Sequence, residues 1–546
     1  MSTVPPSNLK ALVAVKPVPH DAFRELMETI AVVLILVCLL KGWVAEAFMI
    51  PTGSMATTLW GANRQYDCPQ CGYRTLVNAP EGRGPSAPTG CMCQNCRFPI
   101  HAPERTPSFL SLAGENGNRV VVAKYIYEGH ADPRRWDVPV FKYPAEVLGQ
   151  EPQPSRPSQT NFIKRLVGMP NEELYLYYGD VFVRPQGAKD YGIASRPPNA
   201  LMATRRLVYD NDRQAADLRA AGFPARWHAL SGEWKIADDG KSFAAPAGEA
   251  WIGYRHLVGG GARDSEPGVS TTAAAGRTPQ IITDWESYNV VRFGEFLDTR
   301  FLHHNWVGDL MIECECRVPQ ETGAAMLELV EATRVYRCTF DFAAKKIVVS
   351  QNGKFLKEAP LTGSGTRKLR FANFDDRLVV WVDGRLAFGD GVEVESLTPD
   401  QNGPLSADRQ PARIGSQGVE ATFAAIKLHR DTYYLQTLNQ ADAAFHGGRD
   451  RLRYPMEEGD ATLADWRQNL AMNMTFVREQ SLRPDRDPAV RVYKIPANSY
   501  LMLGDNSPLS SDGREWNRTH FAERHHLLGK AVVTFWPVEW NFKWAD

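Results

Sequence analysis

The chain has 546 residues, 43% of them hydrophobic, which allows two or three domains with real cores and excludes a disordered tail protein. Its 62 lysines and arginines nearly cancel 63 aspartates and glutamates, so no electrostatic footprint points to nucleic acid as a partner. Five of the nine cysteines crowd between Cys68 and Cys96, three lie at Cys314, Cys316 and Cys338, and one is Cys38, a distribution unlike that of a small disulfide scaffold.

Behind a basic tail with Lys10, Lys16 and Arg24 runs ETIAVVLILVCLLKGWVAEAFMI. Its uncharged stretch, Ile30 to Leu40, has eleven residues, a length that also suits a core helix or a signal h-region. Lys41 can snorkel, Trp43 suits an interface and apolar residues continue to Ile50. The expectation is a single transmembrane helix over 26–47 behind a cytoplasmic tail of 1–25. Positive charge in front exceeds that just behind, which keeps the N-terminus inside and places the chain from Met49 onward outside the cytoplasmic membrane. The small residues AEA leave cleavage of this segment as an alternative.

Next comes FMIPTGSMATTL, with Ser54 between a glycine and a methionine. A serine needs a base within hydrogen-bond reach. None of the twelve histidines sits in a triad context, and no G-x-S-x-G elbow surrounds Ser54. The following segment, 61–104, carries Cys68-x2-Cys71 and Cys93-x2-Cys96, two knuckles able to give four thiolates to a structural zinc. Two disulfides are the alternative in an oxidising space, and Cys91 is a fifth thiol able to replace Cys93. In TNFIKRLVGMPNEEL, Lys164 then lies in a strand among apolar neighbours. Desolvation penalises its charged form, which makes it a candidate general base.

From about 186 to 489 the pattern changes to period-two alternation. DLMIECECRV puts Ile312, Cys314, Cys316 and Val318 on one face, with Glu313 and Glu315 on a solvated one. Asn352-Gly353 and Asp383-Gly384 are hairpin turn signals. The stretch at about 225–435 resembles a concanavalin-like, laminin-G-type β-sandwich, a jelly-roll-like unit of a kind that binds glycans or proteins. Cys314, Cys316 and Cys338 read as small buried hydrophobes.

Beyond this insert stands SYLMLGDNSPLSSDGREW. FMIPTGSM, WDVPVFKYP, FIKRLVGMP, GDNSPLSSDGREW and a closing GKAVVTFWP, in that order, resemble the bacterial type I signal peptidases. The resemblance covers 48–59, 117–183 and 494–537. It implies a mainly β fold, a coiled-sheet catalytic domain over 48–60, 105–185 and 490–546 behind the anchor, and exported preproteins as substrates. It also implies a Ser/Lys dyad with Ser54 as nucleophile and Lys164 as base, no catalytic cofactor, and an oxyanion hole from the Ser54 amide and the Thr52 hydroxyl. Ser510 would orient the lysine amine, with Asp512 and Arg514 as a supporting ion pair. The chain departs from that family at Thr57, where a proline is usual, at Trp136, where a glycine is expected, and at Gly513, often a serine.

Two rivals differ in ways the sequence exposes. Self-cleaving SOS-type repressors share a Ser/Lys dyad but open with a DNA-binding module. A membrane-anchored glycan- or protein-binding module on an inert peptidase scaffold is the other, and intact Ser54 and Lys164 speak against it. A sandwich inserted with its termini close together is expected to be removable, so that a chain lacking 226–434 still folds and cuts.

Overall fold

The computed structural model describes residues 22–78, 90–101, 116–143, 160–220, 222–257, 279–293, 296–297, 305–363, 365–396, 403–436, 491–516, 519–536 and 543–544. The basic residues Lys10 and Lys16, most of the expected tail and the segment 437–490 lie outside these.

Strands dominate, and every named strand pairing is antiparallel. One sheet runs in the order Ala45–Met49, Arg119–Ala123, Leu527–Trp536, Pro139–Lys142 and Asn161–Ile163, with Lys543–Trp544 on the side of Leu527–Trp536. Ile50, Met55, Leu59, Val120, Val122, Val138, Val140 and Ala531 form its apolar core, so the residues flanking Ser54 are fixed by packing. A three-stranded sheet sets Ser499–Leu503 between Phe521–Glu523 and Arg165–Gly168. Its register, Leu503 opposite Arg165, brings the turn after Leu503 to the lysine.

The expected helix over 26–47 is not one element. An α-helix, α1, spans Ala22–Leu39, a π-helical turn covers Leu40–Val44, and Ala45–Met49 is already an edge strand of the first sheet. Glu46 explains the handover, because its carboxylate pairs at 2.6 Å with Lys124, the residue that follows the neighbouring strand. Arg24, Glu25 and Glu28 charge the start of α1, and among the described residues no helix is long and apolar enough to cross a membrane. The apolar side chains of α1 are nonetheless exposed, Phe23, Val32 and Ile35 by 72%, 63% and 61%.

The insert is a two-sheet sandwich. A nine-stranded sheet centred on Leu310–Arg317, Thr366–Phe374 and Thr422–Arg430 faces a seven-stranded sheet centred on Ala324–Glu331, Arg334–Asp341 and Ala412–Gln417. Ile312, Cys314, Cys316, Leu327, Cys338, Phe340, Phe371, Val380 and Ile414 fill the space between them. Alternation along 312–318 thus reads as expected. Both hairpin turns carry positive φ at two successive residues, 50° and 79° at Asn352-Gly353 and 52° and 79° at Asp383-Gly384, as two-residue turns require.

The boundaries are less modular than expected. Arg206–Asp210 already pairs with Thr422–Arg430, so the sandwich begins near 206 rather than 225. The cysteine segment is also tied in, since Gly90–Met92 pairs with Val291–Phe293 from the insert. Tyr434 packs in one core with Val167, Leu174, Leu501 and Leu503. Arg196, before the sandwich, donates to Asp375 within it at 2.6 Å. The insert is therefore built into the rest of the frame, which removes the basis for expecting it to be dispensable. Replacing 226–434 by a short Gly/Ser linker is expected to abolish the cooperative thermal transition or to lower it by at least about 10 °C, read by circular dichroism.

Candidate active site

Ser54 sits in a buried single turn of 3-10 helix, Gly53–Met55. Asn118 closes the loop that carries it. Its carbonyl accepts from Ile50 at 2.8 Å, its amide donates to Trp60 O at 2.8 Å, and its side-chain oxygen accepts from Trp60 N at 2.6 Å. Lys164 lies between the strands Asn161–Ile163 and Arg165–Gly168 and is 3% exposed. Its Nζ meets Ser54 Oγ at 2.5 Å, across 110 positions of sequence. The ammonium also lies 5.4 Å from the Phe162 ring centroid.

Burial pushes the Lys164 pKa down from 10.5 to about 8; Asp512 and Asp505 raise it, and Arg514 lowers it further. These charges do not reach Lys164 unopposed. Arg165 and Asp505, both without exposed side-chain surface, form a fork with Nε to Oδ1 and Nη2 to Oδ2 each at 2.7 Å. Burial alone would raise Asp505, and the Arg165 guanidinium overrides it and holds the carboxyl below its ordinary range. Asp512 and Arg514 make a second fork, at 2.8 and 2.6 Å, with Asp512 likewise held low. Arg514 continues to Ser507 Oγ at 2.6 Å and to Leu435 O at 2.7 Å.

Ser510 is 2% exposed, and its Oγ makes no directed hydrogen bond, although it lies close enough to Asp512 to help keep that carboxyl low. Gly504 is required here: a Cβ would come within 2.1 Å of Ser510 Oγ and 2.5 Å of the Ser54 carbonyl oxygen. Thr52 precedes the serine turn in extended backbone, exposed, and its hydroxyl caps nothing. Ser54, Lys164, Ser510, Asp512 and Arg514 thus fall in or beside one buried cluster, with Thr52 at its rim.

Asp505, Asn506 and Arg206 contribute without a role assigned to them from the sequence, and Trp136 gains one. Asp505 and Asn506 of the GDN turn hold the lysine strand and the serine loop, Asn506 N donating to Ser54 O at 3.0 Å. Arg206 donates to the Asp505 carbonyl at 2.7 Å and to Thr57 Oγ1. Trp136 takes a φ of 76°, the left-handed region that favours glycine. Its carbonyl accepts from Arg165 at 2.8 Å, and its indole donates to Ser195 O at 3.3 Å. Packing and a hydrogen bond from the insert therefore accompany a bulky residue in a conformation that explains the expected glycine.

The cysteine segment forms two matching knuckles. Gly72 N returns to Cys68 O at 2.8 Å and Arg97 N to Cys93 O at 3.1 Å, with φ of 65° and 66° at Gly72 and Arg97. Cys68 Sγ lies 3.5 Å from Cys96 Sγ and Cys71 Sγ 3.6 Å from Cys93 Sγ, and one sulfur from each of the four converges within 4.8 Å. Tetrahedral Zn–S bonds of about 2.3 Å imply sulfur separations of about 3.8 Å, so this donor set fits zinc. Cys91 is opposite Ile100 on a strand and is not one of the four. A second group, Asp180, Asp309, Asp375 and Asp431, also converges within 4.8 Å. Arg196 donates to Asp375 and Asp431, and burial with neighbouring carboxylates pushes Asp180 and Asp309 well above their usual range.

A buried lysine donating to a serine hydroxyl beside two ion-paired forks is an arrangement suited to a Ser/Lys hydrolase. Residues 106–204 and 451–536 match the family described as signal peptidase, peptidase S26. The chain is 47% identical over 45 residues to signal peptidase I of Leptolyngbya laminosa, covering 8% of this chain and 21% of that protein. It is 49% identical over 45 residues to a probable signal peptidase I-2 of Synechocystis sp., covering 8% and 19%. The chain thus spans about a fifth of the length of these curated relatives. Among solved structures, the carbohydrate-binding module CBM66 from Bacillus subtilis aligns with a TM-score of 0.23 at 14% identity, over 37% of this chain and 95% of that one. The family match and the two sequence relatives support a signal peptidase family.

Asp505→Asn leaves the Arg165 guanidinium buried without a full counter-charge. The variant is expected to lose about 3–5 kcal/mol of stability, measured by urea unfolding.

Proposed function

We propose that the chain is a serine endopeptidase of the signal peptidase type, which removes N-terminal signal peptides from exported preproteins. The observation that carries this reading is the 2.5 Å contact between Lys164 Nζ and Ser54 Oγ in a buried setting. A lysine whose pKa is near 8 has a useful neutral fraction at neutral to mildly alkaline pH. Neutral Lys164 takes the Ser54 proton as Oγ bonds to the scissile carbonyl carbon. The Ser54 amide and Thr52 hydroxyl are the proposed donors to the oxyanion. The protonated lysine then gives its proton to the leaving amine as the peptide C–N bond breaks. A water, deprotonated by the same lysine, bonds to the acyl carbon; the C–Oγ bond breaks and the lysine returns the proton to Ser54 Oγ. Ser510 is the proposed orienting hydroxyl, and the Asp512–Arg514 pair supports the wall behind it.

In this reading Cys68, Cys71, Cys93 and Cys96 hold a structural zinc, since four protein ligands leave no open position. The proposed location is the cytoplasmic membrane, with the catalytic unit on its outer side. The uncovered apolar side chains of α1 support contact with lipid, although the helix falls short of a span. A second reading, binding of a glycan or protein by the sandwich, is favoured by a groove lined by Glu313, Glu315, Lys368, Arg370, Trp381 and Lys427. Its charged donors and acceptors beside an indole suit a polyhydroxylated ligand, and calorimetric titration with oligosaccharides tests it.

Ser54→Ala and Lys164→Ala are each expected to lower kcat/KM on a preprotein by at least about a thousandfold with the fold intact, the cut site being read by mass spectrometry. Wild-type cleavage in either variant sinks the dyad. Because the base acts only when neutral, kcat/KM should rise with pH through an apparent pKa of about 8 and then level off. A profile that begins to climb only near the ordinary lysine value contradicts the desolvated base.

Zinc is expected at about one ion per chain by elemental analysis and should be lost in a Cys68→Ser/Cys71→Ser variant. Two disulfides among these thiols in the purified protein is the opposing result.

A further inference from the structure

Between the cysteine knuckles and the serine loop lies a turn from the insert, Ser287–Asn289, in which all three residues are buried. On its ribbon side, Ser287 N donates to Gln94 Oε1 at 2.9 Å. Gln94 directly follows Cys93, and its Nε2 donates to Leu207 O at 2.6 Å, which fixes the direction of the amide. On the other side, two side-chain amides pair reciprocally. Asn289 Nδ2 donates to Asn506 Oδ1 at 2.8 Å, and Asn506 Nδ2 donates to Asn289 Oδ1 at 2.9 Å.

Asn506 then reaches the serine turn twice, through Nδ2 to Gly53 O at 3.0 Å and through its backbone N–H to Ser54 O at 3.0 Å. Tyr288 fills the space above Gly53, where a Cβ would lie 2.4 Å from the phenol oxygen. Its ring centroid stands 5.2 Å from that of Trp60 at the far end of the same loop.

The hydrogen-bond inventory of Asn506 gives this contact its meaning. A primary amide offers two N–H donors and one carbonyl. Gly53 O and Asn289 Oδ1 take both donors, and Asn289 Nδ2 supplies the carbonyl. Gly53 O also sets the direction of the pair, because a flipped Asn506 would turn its oxygen toward another acceptor. Without Asn289, a side chain that is 4% exposed keeps one satisfied bond and two unmet groups, and the cheapest relief is rotation away from Gly53.

We infer that Asn289 is a positioning residue for Ser54, and that the turn Ser287–Asn289 is a strut through which the cysteine ribbon, by way of Gln94, keeps the serine loop within reach of Lys164. The kinetic half of this inference rests on the peptidase reading of Ser54 and Lys164; the structural half stands without it. Small displacements at a reacting centre carry large rate penalties, so loss of the strut should appear in kcat rather than in substrate affinity.

The test compares the full-length wild type with Asn289→Ala, Asn289→Asp, Gln94→Ala and Ser54→Ala, by steady-state kinetics on one peptide and by hydrogen–deuterium exchange. Asn289→Ala should lower kcat by about tenfold or more with KM within about twofold, and should speed exchange of 50–59 and 504–507 by about tenfold. Exchange of Thr366–Phe374 in the sandwich should stay at the wild-type rate. Asn289→Asp keeps the acceptor for Asn506 and should fall between Asn289→Ala and wild type, and it carries the test if the alanine variant does not fold. Gln94→Ala should act in the same direction with a smaller effect. Wild-type kcat and local exchange in the asparagine variants overturn the inference, and so does faster exchange spread evenly through the sandwich. If wild type does not cut, or Ser54→Ala cuts equally well, the peptidase reading fails and the exchange data alone decide the strut.

Discussion

The Arg165–Asp505 fork is the interaction on which the rest of the site depends. It joins the lysine strand to the GDN turn across 340 positions of sequence, with both side chains fully removed from water. A buried pair of this kind is a poor source of net stability, because desolvation offsets most of the attraction. Its value is geometric. A bidentate guanidinium–carboxylate contact tolerates little sliding or rotation, so it fixes the register in which Lys164, one residue before Arg165, and Asn506, one residue after Asp505, approach Ser54. The surrounding bonds use the same anchor: Tyr434 donates to Asp505 Oδ1 at 3.2 Å, and the Trp136 carbonyl accepts from Arg165 Nη1 at 2.8 Å.

Electrostatic balance follows from that anchor. Lys164 stands among two carboxylates and two guanidiniums, and each carboxylate is matched by its own guanidinium. An unmatched Asp512 or Asp505 would stabilise the ammonium and raise the lysine toward its ordinary value. Matching them leaves desolvation as the largest influence. The two forks therefore do more than brace the walls, since they let burial decide the protonation state of the amine.

Much of this was legible in the sequence, for a definite reason. Ser54, Lys164 and the segment 504–514 each lie in a short run whose residue types are constrained by close approach or buried charge, and such runs keep their signature locally. The four ribbon thiols and the two hairpin turns are readable on the same grounds. Contacts made by the insert were not legible. Asn289, Arg206 and Tyr434 stand in stretches of ordinary composition, and only the tertiary arrangement brings them to the GDN turn. Hydropathy places the helix boundary too late because it continues through Ala45–Met49, whereas the Glu46–Lys124 pair and the ladder to Arg119–Ala123 draw those residues into a sheet. Trp136 is legible as a departure from the family pattern, but the indole bond to Ser195 is visible only in three dimensions.

The pairing of Ser499–Leu503 with Arg165–Gly168 has a temporal side. A ribosome delivers Ser54 and Lys164 early and the GDN turn only after the whole sandwich has been made. Until that strand emerges, Arg165 lacks its Asp505 counter-charge, the Ser54 carbonyl lacks its bond from Asn506, and Ser54 and Lys164 belong to separate, unlocked pieces of chain. Long-range antiparallel closure of this kind is slow compared with local hairpin formation. The growing polypeptide thus carries Ser54 and Lys164 before the cluster around them can close, and closure comes late, when the GDN turn joins Arg165.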